Sequence, residues 1–352
     1  MTPRENLLKG LRRQGFESIP YVFSLCPELE AVYREKTGGE LPYDEYFGFA
    51  LRDLPWMYPI STAPEPYLPY YPELDESTRI DWWGVGHRMT PTAVHAQMIH
   101  PLAHADSEEE IAAYPLPEFR EEENAAIFER AAALRAQGLA SVGQMQMTVW
   151  ETSWYIRGME NLMMDMASDD PMAELLLNRV EERAIRRAEI FAKAGTDILY
   201  LGDDVGMQKA VMMSEELYTT WLKPRLANVI AAAKAIKPDM LVFYHSCGYV
   251  EPFIPHLIEA GVDVLNPIQP ESMNFERVHS LYGGAISFHG TIGTQTTMPF
   301  GTPADIKAEV EKNLRIAGAK GGLLVGPTHV LEPDVPWENI LAYIEACKGY
   351  NG

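Results

Sequence analysis

His245 and Cys247 stand two residues apart at the end of an apolar run, Leu241-Val-Phe-Tyr-His-Ser-Cys-Gly248. The run is short, rich in β-forming residues, and bounded by Pro238 and Gly248, so it reads as a buried strand. Side chains on a strand alternate between faces, so residues two apart point the same way. An imidazole nitrogen beside a thiolate at a strand end is half of a zinc site. A core histidine beside a buried free thiol is the plainer alternative. A third donor, the imidazole of His329, follows a glycine turn and a short apolar strand in Gly326-Pro-Thr-His329. Three protein ligands would leave a fourth zinc position open, as catalytic sites require.

Other polar residues fall at comparable places. Gln144, the pair Asp203-Asp204, Asn266 with Gln269, His289 and Thr328-His329 each follow an apolar run. Adjacent residues on an extended strand face opposite ways, so only one of Asp203 and Asp204 can face inward. That one is expected to bind metal, support a metal-binding histidine or anchor substrate; a helix cap is the structural alternative. Glu151, in Val149-Trp-Glu-Thr152, is a further candidate acid or base. Gln144, Asn266, Gln269 and His289 are expected to contact substrate. Cys26 is close to the end of the first strand and reads as a buried thiol. Cys347 is in the last helix and is assigned no role.

The elements that must hold these residues alternate along the chain. Strands are expected at Ile19–Leu25, Ala140–Gln144, Asp197–Leu201, Leu241–Tyr244, Asp263–Leu265, Ala285–Phe288 and Gly322–Val325. Helices separate them, the longest over Pro171–Ala194. Strand–helix alternation means a parallel sheet with right-handed crossovers. No Gly-x-Gly-x-x-Gly follows an early strand, which disfavours a dinucleotide-binding sheet. The expected architecture is one (β/α)8 TIM barrel over residues 1–352, in which catalytic groups gather at the C-terminal ends of the strands. The eighth strand is short or hidden in the first hundred residues. Residues 40–105, rich in Pro, Tyr and Trp, read as an ordered insertion covering the barrel mouth.

Composition limits the partners. The 352 residues carry a formal net charge of −21 and are 47% hydrophobic. That charge disfavours nucleic acid and anionic membrane surfaces, and no apolar run is long enough to span a bilayer. The first residues, Met1-Thr-Pro-Arg-Glu, have no apolar leader, and three scattered cysteines fit a reducing compartment. A cytoplasmic enzyme is expected.

Several blocks together resemble the uroporphyrinogen decarboxylase superfamily, and within it the cobalamin-dependent methyltransferase branch. They are Tyr200-Leu-Gly-Asp-Asp204, Phe243-Tyr-His-Ser-Cys-Gly248, Gly261-Val-Asp-Val-Leu-Asn-Pro-Ile-Gln269, Phe288-His-Gly290 and Gly322–His329 with Pro333-Asp-Val-Pro-Trp-Glu-Asn339. The resemblance covers most of the chain from about residue 105. His245 and Cys247 match the branch's His-x-Cys…Cys zinc motif, and His329 takes the place of its third cysteine. The arginine-rich segment with which decarboxylases bind propionates is here Ser24-Leu-Cys-Pro-Glu28, without arginine. The resemblance implies a zinc-dependent methyltransferase working with a corrinoid carried on a separate protein. The expected reaction is O-demethylation of a methoxylated aromatic. The alternatives are methyl transfer from a methylcobamide to a thiol, and a cofactor-free decarboxylase. A barrel that has lost catalysis is the remaining reading.

Overall fold

The computed structural model describes residues 1–89 and 96–350. Ten strands run in chain order as β1 (Leu51–Asp53), β2 (Thr78–Ile80), β3 (Gly86–Arg88), β4 (Gln97–Ile99), β5 (Ala140–Gln146), β6 (Ile198–Gly202), β7 (Leu241–His245), β8 (Val264–Asn266), β9 (Ser287–His289) and β10 (Leu323–Leu324). Seven of them form one sheet in the order β1-β5-β6-β7-β8-β9-β10, and all its pairings are parallel. The expected first strand is an extended segment beside β10, with parallel bridges from Tyr21 to Val325 and from Leu25 to Leu331. This gives the eight wall segments of a (β/α)8 barrel.

The strand missing from the sequence reading is β1. It lies inside the stretch read as an insertion, and pairs Leu51 with Ala140 and Asp53 with Val142. That part of residues 40–105 is barrel wall. The rest includes a three-stranded antiparallel sheet, β2-β3-β4. Most of its aromatics pack on each other and on the barrel's helices. Tyr67 and Tyr114 donate their hydroxyls to the carbonyls of Trp82 and Trp83 at 2.7 and 2.6 Å. The Arg187 guanidinium, on the long helix Pro171–Lys193, lies 5.9 Å from the Trp83 ring centroid and 5.5 Å from that of Phe119. The long helix expected over Pro171–Ala194 spans Pro171–Lys193.

Period-two alternation sorts the barrel's residues. Val142, Ile198, Tyr200, Leu241, Phe243 and Val264 form an inner apolar cluster, while their neighbours Leu199, Leu201, Val242, Tyr244 and Leu265 pack outward in the larger core. The floor of the barrel is the helix Pro3–Leu11, whose Leu7, Leu8 and Leu11 join the inner cluster. Thr2 and Glu5 form a capping box at its start. Arg4 fixes it with two bonds to the buried Asp197 carboxylate, at 2.7 and 2.9 Å. With the floor filled by leucine, the space enclosed by the strands opens toward their C-terminal ends. No helix among the described residues is long and apolar enough to cross a membrane.

Candidate metal centre and cavity

β7 carries its apolar residues up to His245, and Cys247 follows just beyond it. Their side chains meet, with Cys247 Sγ 3.4 Å from His245 Nε2. Room for the histidine comes from Gly202 on β6, where an added Cβ would be 2.9 Å from that of His245. The turn after Cys247 needs a positive φ, which Gly248 adopts at +81°.

The two adjacent aspartates part company. Asp203 turns into the protein, where its carboxylate accepts from the amides of Thr148, Val149 and Glu151 at 2.9–3.3 Å. It thereby caps the incoming end of the helix Trp150–Arg157. Burial pushes its carboxyl up to about 6, against the pull of those amides. Asp204 turns toward His245 and Cys247, and the amide N–H of Cys247 donates to its Oδ1 at 2.7 Å. Ligand atoms of Asp204, His245 and Cys247 all lie within 4.8 Å of one another. Among the described residues this is the cluster of histidine, cysteine and carboxylate that could hold a metal ion. His329, expected as the third ligand, is outside the group. It is an exposed residue on the wall of the neighbouring cavity. Asp204 takes the third place in the group because the Cys247 amide, in the turn after β7, donates to its carboxylate, a contact invisible in spacing alone.

The surroundings orient the histidine. Asn266 Nδ2 donates to the His289 carbonyl at 3.1 Å and lies 2.9 Å from His289 Nδ1. A carbonyl can only accept, so the Asn266 amide is fixed with Oδ1 toward His245 Nδ1, at 2.7 Å. Tyr200 donates to the same Oδ1 at 2.5 Å. His245 therefore carries its proton on Nδ1 and presents the Nε2 lone pair to the cluster, the tautomer a metal requires. Burial also holds the ring toward its neutral form. His289 is pushed down to about 3 by burial and stays neutral. Gln269 supports the turn by accepting from the Gly248 amide at 2.6 Å.

Charge is unbalanced here. Burial, then Asp203 and Asp204, push the Glu151 carboxyl up to about 9. Burial, then Asp204 and Glu151, push the Cys247 thiol up to about 12. A divalent cation would reverse the shift at Cys247, since a bound metal draws off a coordinating thiol's proton. The donor set, one sulfur, one imidazole and one carboxylate, fits zinc. Because the thiol holds its proton through neutral pH and only the thiolate ligates, zinc binding is expected to release about one proton per chain at pH 7. Affinity should rise about tenfold per pH unit below the thiol's own range. Calorimetric titration in two buffers of different ionisation enthalpy measures this, and zinc binding without proton release would contradict it.

Beside the cluster is a cavity of about 630 Å³, with His245, Asn266, His289 and His329 on its wall. Phe23, Tyr43, Phe49 and Phe243 supply aromatic surface. Gln144, Asp44 and Asp53 also line it. Asp44 is matched by the buried Arg52 at 3.0 Å. Of the expected site residues, Gln144, Asn266, His245, His289 and His329 line the cavity, while Glu151, Asp203, Asp204, Cys247 and Gln269 are not on its wall. Cys26 is a buried thiol and Cys347 a buried residue of the last helix. Asp53 was missed because a three-residue strand leaves too short a pattern to read. Tyr200 was quoted in a motif, but its position two residues before Gly202 on β6 gave it no role until Asn266 was brought alongside.

A (β/α)8 barrel with a thiol–imidazole–carboxylate cluster at its mouth defines the class. A profile of the family described as "Uroporphyrinogen decarboxylase (URO-D)" matches residues 92–350, and the chain belongs to that family. The fold is similar to that of a solved structure described as "methyltransferase from Methanosarcina mazei", with 18% identity, 99% of each chain covered and a TM-score of 0.71. A glycoside hydrolase family 10 xylanase from Gloeophyllum trabeum aligns over 65% of this chain and 81% of its own, with 11% identity and a TM-score of 0.41. No curated protein matches the sequence.

Proposed function

We propose that this chain is a zinc-dependent methyltransferase that moves a methyl group from a methoxylated aromatic to the cobalt of a corrinoid carried by a partner protein. The observation that carries this reading is the Asp204–His245–Cys247 cluster, with His245 shared by the wall of an aromatic-lined cavity at the barrel mouth. Zinc held by these three residues would supply a Lewis acid for the oxygen that leaves with the ring. Asn266 and Tyr200 hold His245 in the ligating tautomer. Glu151 keeps a proton near the cluster at neutral pH, available to the departing oxygen. Phe23, Tyr43, Phe49 and Phe243 position a ring. His329 stands at the cavity wall, where it can meet the donor. Residues 40–105 contribute Tyr43, Asp44, Phe49 and Asp53 to that wall, in keeping with a segment that covers the mouth. The similarity to a solved methyltransferase supports the reading, and the absence of lysine or arginine from the cavity wall among the described residues weighs against a polycarboxylate porphyrinogen.

The test is anaerobic incubation of the zinc-loaded chain with reduced corrinoid and a panel of methoxyarenes, methylamines, methanol and methylthiols, followed by the visible spectrum. Methylation of the corrinoid by methoxyarenes is expected. If no donor reacts and methylated corrinoid gives no methyl to thiols, the reading is wrong. If only thiols react, the direction of transfer is the part that falls. Conversion of uroporphyrinogen without metal or corrinoid would instead establish the decarboxylase alternative.

A further inference from the structure

We infer that the cavity selects an uncharged, phenolic methoxyarene and rejects methoxyarenes bearing a carboxylate, and that Asp53 is the residue that reads the difference. The inference rests on the demethylation reading above and names its substrate class. Its basis is the cavity's charge. No lysine or arginine lines the cavity among the described residues, and neither Thr90–His95 nor Asn351–Gly352 contains one. Of the two lining carboxylates, Asp44 is neutralised by Arg52 at 3.0 Å. Asp53 has no such partner. Its one polar contact among the described residues is the side-chain N–H of Gln144, at 2.7 Å.

Asp53 is hemmed in by protein on most sides and yet open to the cavity. Burial accordingly raises its carboxyl above the usual range, with Gln144 opposing. Gln144, committed to Asp53 through its nitrogen, has its Oε1 buried without a partner. At this point the wall thus offers two hydrogen-bond acceptors, the Asp53 carboxylate and Gln144 Oε1, with no lysine or arginine among the described lining residues. A ligand hydroxyl would satisfy such acceptors. A ligand carboxylate beside Asp53 would face an unmatched charge of its own sign, with no guanidinium or ammonium among the described lining residues to hold it. An alkylammonium would also suit Asp53. Its nitrogen, however, has no lone pair free for the Lewis acid that the adjacent cluster fits, so it does not match both halves of the site. An ether oxygen does, and the four aromatic side chains accept its ring. The volume, about 630 Å³, is in the range that holds a single substituted ring.

The experiment compares 2-methoxyphenol, methoxybenzene and 3-methoxybenzoate as donors to reduced corrinoid, and as ligands of the zinc-loaded chain by calorimetry. The phenol is expected to exceed the benzoate by at least about a hundredfold in kcat/KM and in affinity. Methoxybenzene should fall between them. Asp53→Asn should lower the phenol-to-benzoate ratio at least about tenfold while metal content stays at one per chain, because the variant removes the repulsion and leaves the cluster alone. The wild-type comparison stands without the variant. Equal or better use of the benzoate overturns this inference and leaves methyl transfer in place. Preference for a tetramethylammonium donor overturns it as well. Failure of every methoxyarene, charged or not, removes the demethylation reading and the inference with it.

Discussion

Replacing Cys247 by serine is expected to empty the metal centre and abolish turnover while leaving the barrel folded. Protein purified without chelator should hold about one zinc per chain, and Cys247→Ser less than about a tenth of that. The sulfur is the one soft donor in the Asp204–His245–Cys247 group. A serine hydroxyl does not ionise at neutral pH, so the remaining imidazole and carboxylate would have to hold the ion. Loss of the Lewis acid from the leaving oxygen should lower kcat/KM by at least about a thousandfold, or about 4 kcal/mol of transition-state stabilisation. The substitution is nearly isosteric and sits beyond the end of β7, so the melting temperature of the metal-free chains should differ little. Metal analysis by mass spectrometry decides the matter: full zinc content in Cys247→Ser, or none in the wild type, would remove the metal centre.

Asp203→Ala is expected to act differently, by loosening the fold rather than by removing a reacting group. Its carboxylate accepts from three amides at the start of the helix Trp150–Arg157, in a buried site. Alanine leaves those N–H groups without an acceptor and without water. The cost should be about 3 kcal/mol, and a thermal melt should fall by roughly 5 °C. Asp203→Asn retains one acceptor oxygen and should lose less. Both variants should keep zinc, because Asp203 is outside the Asp204–His245–Cys247 group. Activity should drop through displacement of Glu151, whose own amide is one of the three donors. An unchanged melting temperature with lost activity would show that Asp203 takes part in the reaction itself.

These two residues also divide what the chain reveals before it folds. The strand–helix alternation, the positions of β5 to β10 within a residue or two, and the meeting of His245 with Cys247 follow from local pattern. Period two and period 3.6 are written into neighbouring residues. The expectation that only one of Asp203 and Asp204 could face the site follows from the same alternation, but not which one. That choice depends on amides at 148, 149 and 151, and on the Cys247 amide that holds Asp204, some forty to fifty residues away in sequence. His329 was expected as the third donor, ahead of either aspartate, because spacing gives direction along a strand and not distance across a barrel. β1 was missed because three residues are too few for a periodic signal, and with it Asp53, the unmatched charge in the cavity. The sequence by itself determined that polar groups would gather at the strand ends around a His-x-Cys pair. Only the tertiary structure decided which carboxylate completes the cluster and which carboxylate the cavity leaves without a cation, because both depend on contacts between strands that only the closed packing of the barrel brings together.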